Sequence, residues 1–238
     1  MGIYYENLRP EEFRKRLSAA PIAYLPLGTL EWHGEHLPLG TDMIIPRGFF
    51  SILAERIGGI VLPPLFIGPD RNTLIDGKEY IGMDTAATPA VQLDGSAYWI
   101  EDDLFKSLLH SILKQLKRAG FKVVVAHGHG PSTGIFMKNS QAWENEFSLR
   151  LLHCYGEGEG IQTDHAGKNE TSLTMSFCPE TVRIENLETD AFSKSMFNDN
   201  PPSTATPEHG KQVIDEQIKR MEALIREALA SMPSPDHW

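Results

Sequence analysis

Several classes of protein need components that this sequence lacks or holds in small amounts. It contains only two cysteines, Cys154 and Cys178, which are too few for a disulfide framework and favour a reducing compartment. Its formal charge of −10 argues against a nucleic-acid partner, because binding to a polyanion normally requires a basic face. No apolar run approaches the roughly 20 residues that span a bilayer, and the N-terminus has no signal-peptide pattern. We therefore expect a cytoplasmic protein with neither a membrane nor a nucleic-acid partner.

The apolar residues alternate between strand-like and helix-like patterns along the chain. Buried strands are predicted at residues 22–27, 60–62, 122–126 and 151–155. Helices are predicted to begin at Pro10 and near Gly167, and to occupy residues 46–57, 101–118, 137–149 and 208–231. This alternation indicates an α/β fold with a mainly parallel sheet covered by helices on both sides, in a single domain over residues 1–238. Residues 66–100 show no periodicity and are predicted to be a long loop, of the kind that often carries function.

The segment richest in chemical groups directly follows the first predicted strand, where α/β sheets place their ligands. Glu31 and His33 are two positions apart, so in extended backbone their side chains point to the same side. Asp42 adds a second carboxylate at the end of the segment. Carboxylate and imidazole ligands suit Zn²⁺, and also Mn²⁺ or Fe²⁺. A bridging carboxylate is in addition what two closely spaced metals require.

Two further segments should open at the same edge of the sheet. His129, in a His-Gly-His-Gly run, follows the valine-rich strand, and His165 and Glu170 lie where a helix is predicted to begin. His165 could shuttle a proton near neutral pH, while Glu170 could orient it or reach a metal. A single histidine near a strand end is more often structural than functional. Three such segments converging on one edge nevertheless favour a metal site.

The order and spacing of these segments resemble the creatininase (creatinine amidohydrolase) family. The first motif is Glu31-x-His33-Gly34-x-His36-Leu37-Pro38-Leu39-x-Thr41-Asp42, and it is highly specific. The other motifs are His127-Gly128-His129-Gly130, His165-Ala166-Gly167 with Glu170-Thr171-Ser172, and residues 205–211 at the start of the last helix. The similarity extends over nearly the whole chain.

The resemblance implies a three-layer α/β/α sandwich, a homo-oligomer and two divalent metals per chain, Zn²⁺ first, with Mn²⁺ or Fe²⁺ as alternatives. By position, Glu31 and His129 would hold one metal, His33 the other, and Asp42 would bridge them. His165 and Glu170 would be the catalytic residues, and His165 would handle protons. Glu170 would support His165 or complete the second metal site. Members of the family hydrolyse C–N bonds in small cyclic or linear amides, so a small-molecule amide is the expected substrate.

Departures from the family pattern limit what is carried over. Pro131 stands where creatininases carry a glutamate, so Glu170, His127 or water would have to replace one ligand. Residues 161–163 lack the tryptophan of creatinine-acting members, which argues against creatinine itself. Lys168 is either a binding group for an anionic substrate or an ordinary surface lysine. The alternatives to an amidohydrolase are a lactone or cyclic-imide hydrolase on the same metals, and a catalytically silent scaffold that binds at most one metal.

Overall fold

Four parallel strands form the central sheet of the computed structural model, which describes residues 2–86, 88–154, 164–188 and 200–231. The strands are β1 Ile22–Leu27, β2 Ile60–Val61, β5 Val123–Gly128 and β6 Arg150–His153, arranged in the order β2-β1-β5-β6. β1 and β5 pair in register from Ile22 opposite Val123 to Leu27 opposite Gly128. Because these two neighbours end together, the residues that follow them emerge side by side at one edge of the sheet.

Helices cover both faces of this sheet. The described residues form six α-helices: α1 Pro10–Ala19, α2 Thr41–Arg56, α3 Asp102–Ala119, α4 Gly130–Phe147, α5 Lys168–Phe177 and α6 Pro207–Ala230. Val123 and Val125 of β5 pack with residues of α2 and α6, whereas Val124 and Ala126 pack with residues of α3 and α4. This alternation confirms the predicted α/β sandwich with a mainly parallel sheet. Among the described helices, none combines the length and the apolar character needed to cross a bilayer.

Two helices begin earlier than predicted, and both differences matter for the site. α2 begins at Thr41 rather than at residue 46 and contains Pro46 within it. α4 begins at Gly130 rather than at residue 137, with Pro131 in its first turn. A proline in the first turn costs no hydrogen bond, because the N–H it lacks has no partner inside the helix. Asp42 and His129 therefore stand at the starts of helices, beside the ends of β1 and β5.

The prediction that residues 66–100 lack regular structure was wrong in part. β3 (Asn72–Ile75) and β4 (Lys78–Ile81) form an antiparallel hairpin. Its two central residues, Asp76 and Gly77, have φ of 49° and 79°, as expected for the tight turn that Asp-Gly pairs favour. The Asp-Gly pair was a usable signal, but the flanking residues are mostly exposed and show no apolar alternation.

Close packing between α5 and α6 leads to a first prediction. A Cβ on Gly210 of α6 would overlap the carbonyl oxygen of Ser172 and the hydroxyl of Ser176 on α5. We expect Gly210→Ala to lower the free energy of unfolding by about 1–3 kcal/mol, because the helices would have to separate. The matched control is Gly134→Ala in α4, where a Cβ meets nothing within 4 Å. There, alanine should raise the free energy of unfolding by about 0.5–1 kcal/mol. Denaturant unfolding of both variants measures the difference, and equal changes would contradict the packing argument.

Candidate metal centre

The loop between β1 and α2 carries two of the predicted ligands, and backbone hydrogen bonds fix its course. The amide of Glu31 donates to the carbonyl of Leu39 at 3.0 Å, and the amide of Trp32 donates to the hydroxyl of Ser96 at 3.0 Å. The side chains of Glu31 and His33 are buried. The loop therefore holds both groups in one place before any ligand binds.

The hydrogen bonds of His33 decide which ring nitrogen is available. Nδ1 lies 3.0 Å from the carbonyl oxygen of Glu31, and because a carbonyl only accepts, Nδ1 carries the proton and donates. Nε2 is left with its lone pair, 3.7 Å from Oδ1 of Asp42 and 3.6 Å from Oε2 of Glu170. An outer hydrogen bond that fixes the tautomer in this way is typical of metal-binding histidines.

His129 is arranged in a similar manner at the start of α4. Its Nδ1 hydrogen-bonds to the hydroxyl of Ser132 at 3.0 Å. Its Nε2 lies 3.7 Å from Oε2 of Glu31 and 3.5 Å from Oδ2 of Asp70. The end of β5 thus aims an imidazole nitrogen at carboxylates that come from two other segments.

The six predicted site residues lie together. Ligand atoms of Glu31, Asp42 and His129 fall within 4.8 Å of one another, and so do those of His33, Asp42 and Glu170. Asp42 belongs to both groups, as a carboxylate that bridges two metals would. Glu31, His33 and His165 form a third group of the same size. Which residues share which metal therefore remains a prediction.

The chemistry of these atoms fits divalent cations. Nε2 of His33 and Oδ2 of Asp42 are buried and form no hydrogen bond within the described part of the chain. Burial, followed by the charge of Asp42, raises the pKa of Glu31 well above its usual value. Burial also raises the pKa of Asp42 and, together with the charge of Asp42, that of Glu170. Buried carboxylates that oppose one another's ionisation are ionised together only when positive charge is near them, and a divalent cation supplies that charge.

His165 faces the same centre from the segment just before α5. Its Nε2 lies 2.8 Å from the carbonyl oxygen of Trp32, so Nε2 donates and Nδ1 keeps a lone pair, 3.9 Å from Oε2 of Glu31. Its ring stacks on that of His33 with the centroids 4.2 Å apart. Burial, followed by the charge of His33, lowers the pKa of His165 to about 3. The ring is therefore neutral near pH 7 and begins as a proton acceptor at Nδ1.

Asp164 was not assigned a role from the sequence, but it holds the start of α5. Its Oδ1 accepts from the amide of Glu170 at 3.1 Å, and its Oδ2 accepts from the amide of Asn169 at 2.7 Å and from the side chain of Asn200. Oε2 of Glu170 in turn accepts from the amide of Ala166 at 2.6 Å. These bonds fix Glu170 toward the centre rather than toward solvent.

A cavity of about 480 Å³ opens onto the centre and includes residues that the sequence analysis missed. Asp70 and Arg71, next to the β3–β4 hairpin, line it together with Gly82. No strand-end or motif signal marked Asp70 and Arg71. Among the described residues, Arg71 lines the cavity and Lys168 does not, so Arg71 rather than Lys168 is the cationic side chain there.

His127 does not take part in the site. Its ring centroid is 5.4 Å from that of Phe49 and 6.0 Å from that of Phe50. Burial lowers the pKa of His127 to about 3. Its Nδ1 and Nε2 are in none of the candidate ligand groups of the described residues, so the suggestion that it replaces a missing ligand was wrong. The residues 161–163 considered for substrate choice lie outside the described residues.

Comparisons with known proteins agree with this architecture. A family model for creatininase, described as creatinine amidohydrolase, matches residues 6–225. The creatinine amidohydrolase of Pseudomonas putida is 24% identical over 230 residues, covering 87% of this chain and 80% of that protein. The 3-dehydro-scyllo-inosose hydrolase of Thermotoga maritima is 24% identical over 200 residues, covering 77% and 59%. A mycofactocin precursor peptide peptidase of Mycolicibacterium smegmatis is 24% identical over 187 residues, covering 73% and 65%.

Solved structures give the same result for the fold. A creatininase structure described as the Mn form has a TM-score of 0.72 at 21% identity, covering 95% of this chain and 98% of that one. A mutant creatininase of the Zn–Zn type has a TM-score of 0.74 at 19% identity, with the same coverage. Similarity at this level of identity shows the fold alone.

Proposed function

The chain belongs to the creatininase family, and from that premise we propose that it is a metal-dependent amidohydrolase that cleaves the C–N bond of a small cyclic or linear amide. The observation that carries the proposal is the position of Asp42. Its carboxylate is shared by two groups of candidate ligands, one with Glu31 and His129 and one with His33 and Glu170. Such sharing favours two divalent ions per chain, with Zn²⁺ as the first choice and Mn²⁺ or Fe²⁺ as alternatives.

Each residue has a task in this proposal. Glu31, Asp42 and His129 would hold one cation, and His33, Asp42 and Glu170 the other. When bound, such cations polarise a carbonyl group and lower the pKa of water. The outer bonds to His33, His129 and Glu170 keep the donor atoms directed inward before the ions bind.

His165 supports hydrolysis of an amide in particular. An amine is a poor leaving group until its nitrogen is protonated, so amide cleavage needs a proton donor. Nδ1 of His165 faces the centre with a free lone pair, as its bond to Trp32 requires. It can take a proton from the attacking water and deliver it to the departing nitrogen. A lactone's oxygen leaving group needs that proton less, which makes lactone hydrolysis the second candidate.

The size of the cavity favours a small substrate. Its volume of about 480 Å³ lies within the range typical of sites for small molecules. The names of the relatives include a creatinine amidohydrolase, an inosose hydrolase and a peptide peptidase, so membership of the family does not select the substrate. We therefore propose a non-peptide amide on the basis of the cavity and of His165.

The proposal also covers the oligomeric state and the cellular location of the enzyme. We propose a homo-oligomer, as the family resemblance implies, with Leu74 and Tyr98, which are 72% and 62% exposed, as candidate contact residues. Cys154 and Cys178 are both free thiols, which supports a cytoplasmic location.

A substrate panel tests the proposed activity. Protein supplied with Zn²⁺ or Mn²⁺ is incubated with small cyclic amides, formamides, matched lactones and short peptides, and product is measured. We expect hydrolysis of at least one small amide, its loss on chelation and its return when the metal is restored. Cleavage of lactones alone or of peptides alone would contradict the proposed bond. Amide hydrolysis that survives chelation would contradict the role of the metals.

A further inference from the structure

Asp70 reaches the metal centre from the segment between β2 and β3. Gly68 lies so close to the β5 end that a Cβ there would overlap the hydroxyl of Ser132 and stand 3.3 Å from Nδ1 of His129. Two residues further along, Oδ2 of Asp70 is 3.5 Å from Nε2 of the same histidine. That nitrogen is the one that Glu31 also faces. Asp70 and Glu31 thus approach His129 together.

The two oxygens of Asp70 have different surroundings. Oδ1 accepts a hydrogen bond from the amide of Arg71 at 2.6 Å, whereas Oδ2 points to His129. The guanidinium of Arg71 donates to the hydroxyl of Thr85 at 2.7 Å instead of pairing with Asp70. The Asp70 side chain is only 13% exposed, between the 9% of Asp42 and the 17% of Glu170. A carboxylate this buried is stabilised by a nearby positive charge.

The separation between Oδ2 of Asp70 and Nε2 of His129 matches that of two atoms that share an ion, whereas Asp70 lies outside the groups of described residues whose ligand atoms are all within 4.8 Å of one another. Two atoms that each bind Zn²⁺ at about 2.1 Å with tetrahedral geometry are about 3.4 Å apart. The Asp70–His129 distance of 3.5 Å and the Glu31–His129 distance of 3.7 Å are both close to this value. With Asp70, four carboxylates face the centre, and their charge equals that of two divalent cations.

We infer that Asp70 is a further carboxylate ligand of the cation held by Glu31, Asp42 and His129. The inference rests on the proposed function, because it requires a metal at this centre. It assigns to that ion a ligand set of three carboxylates and one imidazole. The segment between β2 and β3 would then supply one ligand to the site.

Metal affinity, rather than turnover, tests this inference. Zn²⁺ binding to the apo-protein is measured by competition with a chromogenic chelator, and equivalents are counted by elemental analysis. We expect Asp70→Asn to bind one of two Zn²⁺ ions at least about 10- to 100-fold more weakly, a loss already seen when only outer contacts of a ligand are removed. The control is Asp76→Asn, the same change at the exposed tip of the neighbouring hairpin, where both affinities should be unchanged.

A second variant moves the carboxylate without removing it. A Cβ on Gly82 would overlap Oδ2 of Asp70 and stand 3.3 Å from Oε1 of Glu31. Gly82→Ala should therefore weaken binding of the same Zn²⁺ ion. Gly77→Ala is its control, since that glycine also has positive φ but a Cβ there meets nothing within 4 Å.

The outcomes separate this inference from the proposed function. Weaker binding of one ion in Asp70→Asn and in Gly82→Ala, but in neither control, supports the inference. Two ions bound by the Asp70→Asn protein with unchanged affinity would overturn it, even if hydrolysis slowed, and would leave the proposed function intact. A wild-type protein that binds neither Zn²⁺ nor Mn²⁺ would overturn both.

Discussion

Asp42→Asn is expected to reduce the metal content from two ions per chain to one or none. The carboxylate of Asp42 is the only group that belongs to both the Glu31–His129 set and the His33–Glu170 set in the described residues. Asparagine keeps the size but loses the negative charge and one acceptor oxygen. We expect hydrolysis to fall by about 10³-fold or more, because metals contribute several kcal/mol to stabilisation of the transition state. Elemental analysis and the rate of amide hydrolysis measure the two effects.

The control for this prediction is another aspartate in the first turn of a helix. Asp103 lies in the first turn of α3, as Asp42 lies in that of α2, but it is exposed. Asp103→Asn should leave both the metal content and the rate unchanged, so any general effect of the substitution on a helix start is removed. Two ions retained by Asp42→Asn would show that Asp42 does not bridge.

His165→Ala is expected to slow hydrolysis without releasing metal. Loss of a positioned proton carrier typically costs about 10²- to 10⁴-fold in rate, and we expect a decrease of this size in kcat. Metal content should stay at the wild-type value, because two complete ligand groups remain without His165. Rates and elemental analysis on the same preparation test both statements.

The outcomes for His165 are distinct from one another. A wild-type rate would contradict its proton role, and a loss of metal would make it a ligand, in the group it forms with Glu31 and His33. His110→Ala serves as the control, because His110 is a surface residue bonded to Glu146. It should change neither quantity.

Much of the site could be predicted because it follows strand ends. Glu31 and His129 come directly after two buried apolar strands, and neighbouring parallel strands must end at one edge of a sheet. The short-range pattern of each segment is therefore enough to predict that these residues lie close together. The layers of the fold followed in the same way from the alternation of buried strands and amphipathic helices.

The rest depends on contacts that leave no mark on local sequence. Asp70 reaches His129 because Gly68 packs against the end of β5, a long-range contact without periodicity. The suggestion that His127 replaces a ligand failed because its ring packs on Phe49 and Phe50 of α2, which lie far from it in the sequence. His127 is two positions before His129, which in extended backbone would put both rings on the same side. The φ of 139° at Gly128, between them, breaks this pattern.

The metal content of the wild-type chain tests the central claim most directly. Protein purified without chelators or a histidine tag is analysed for Zn, Mn and Fe per chain. We expect two equivalents in total, with Asp42 shared between them. One equivalent would contradict the dinuclear centre and favour a mononuclear one. No metal, even after Zn²⁺ and Mn²⁺ have been supplied, would contradict the hydrolase proposal and leave a scaffold with the creatininase fold.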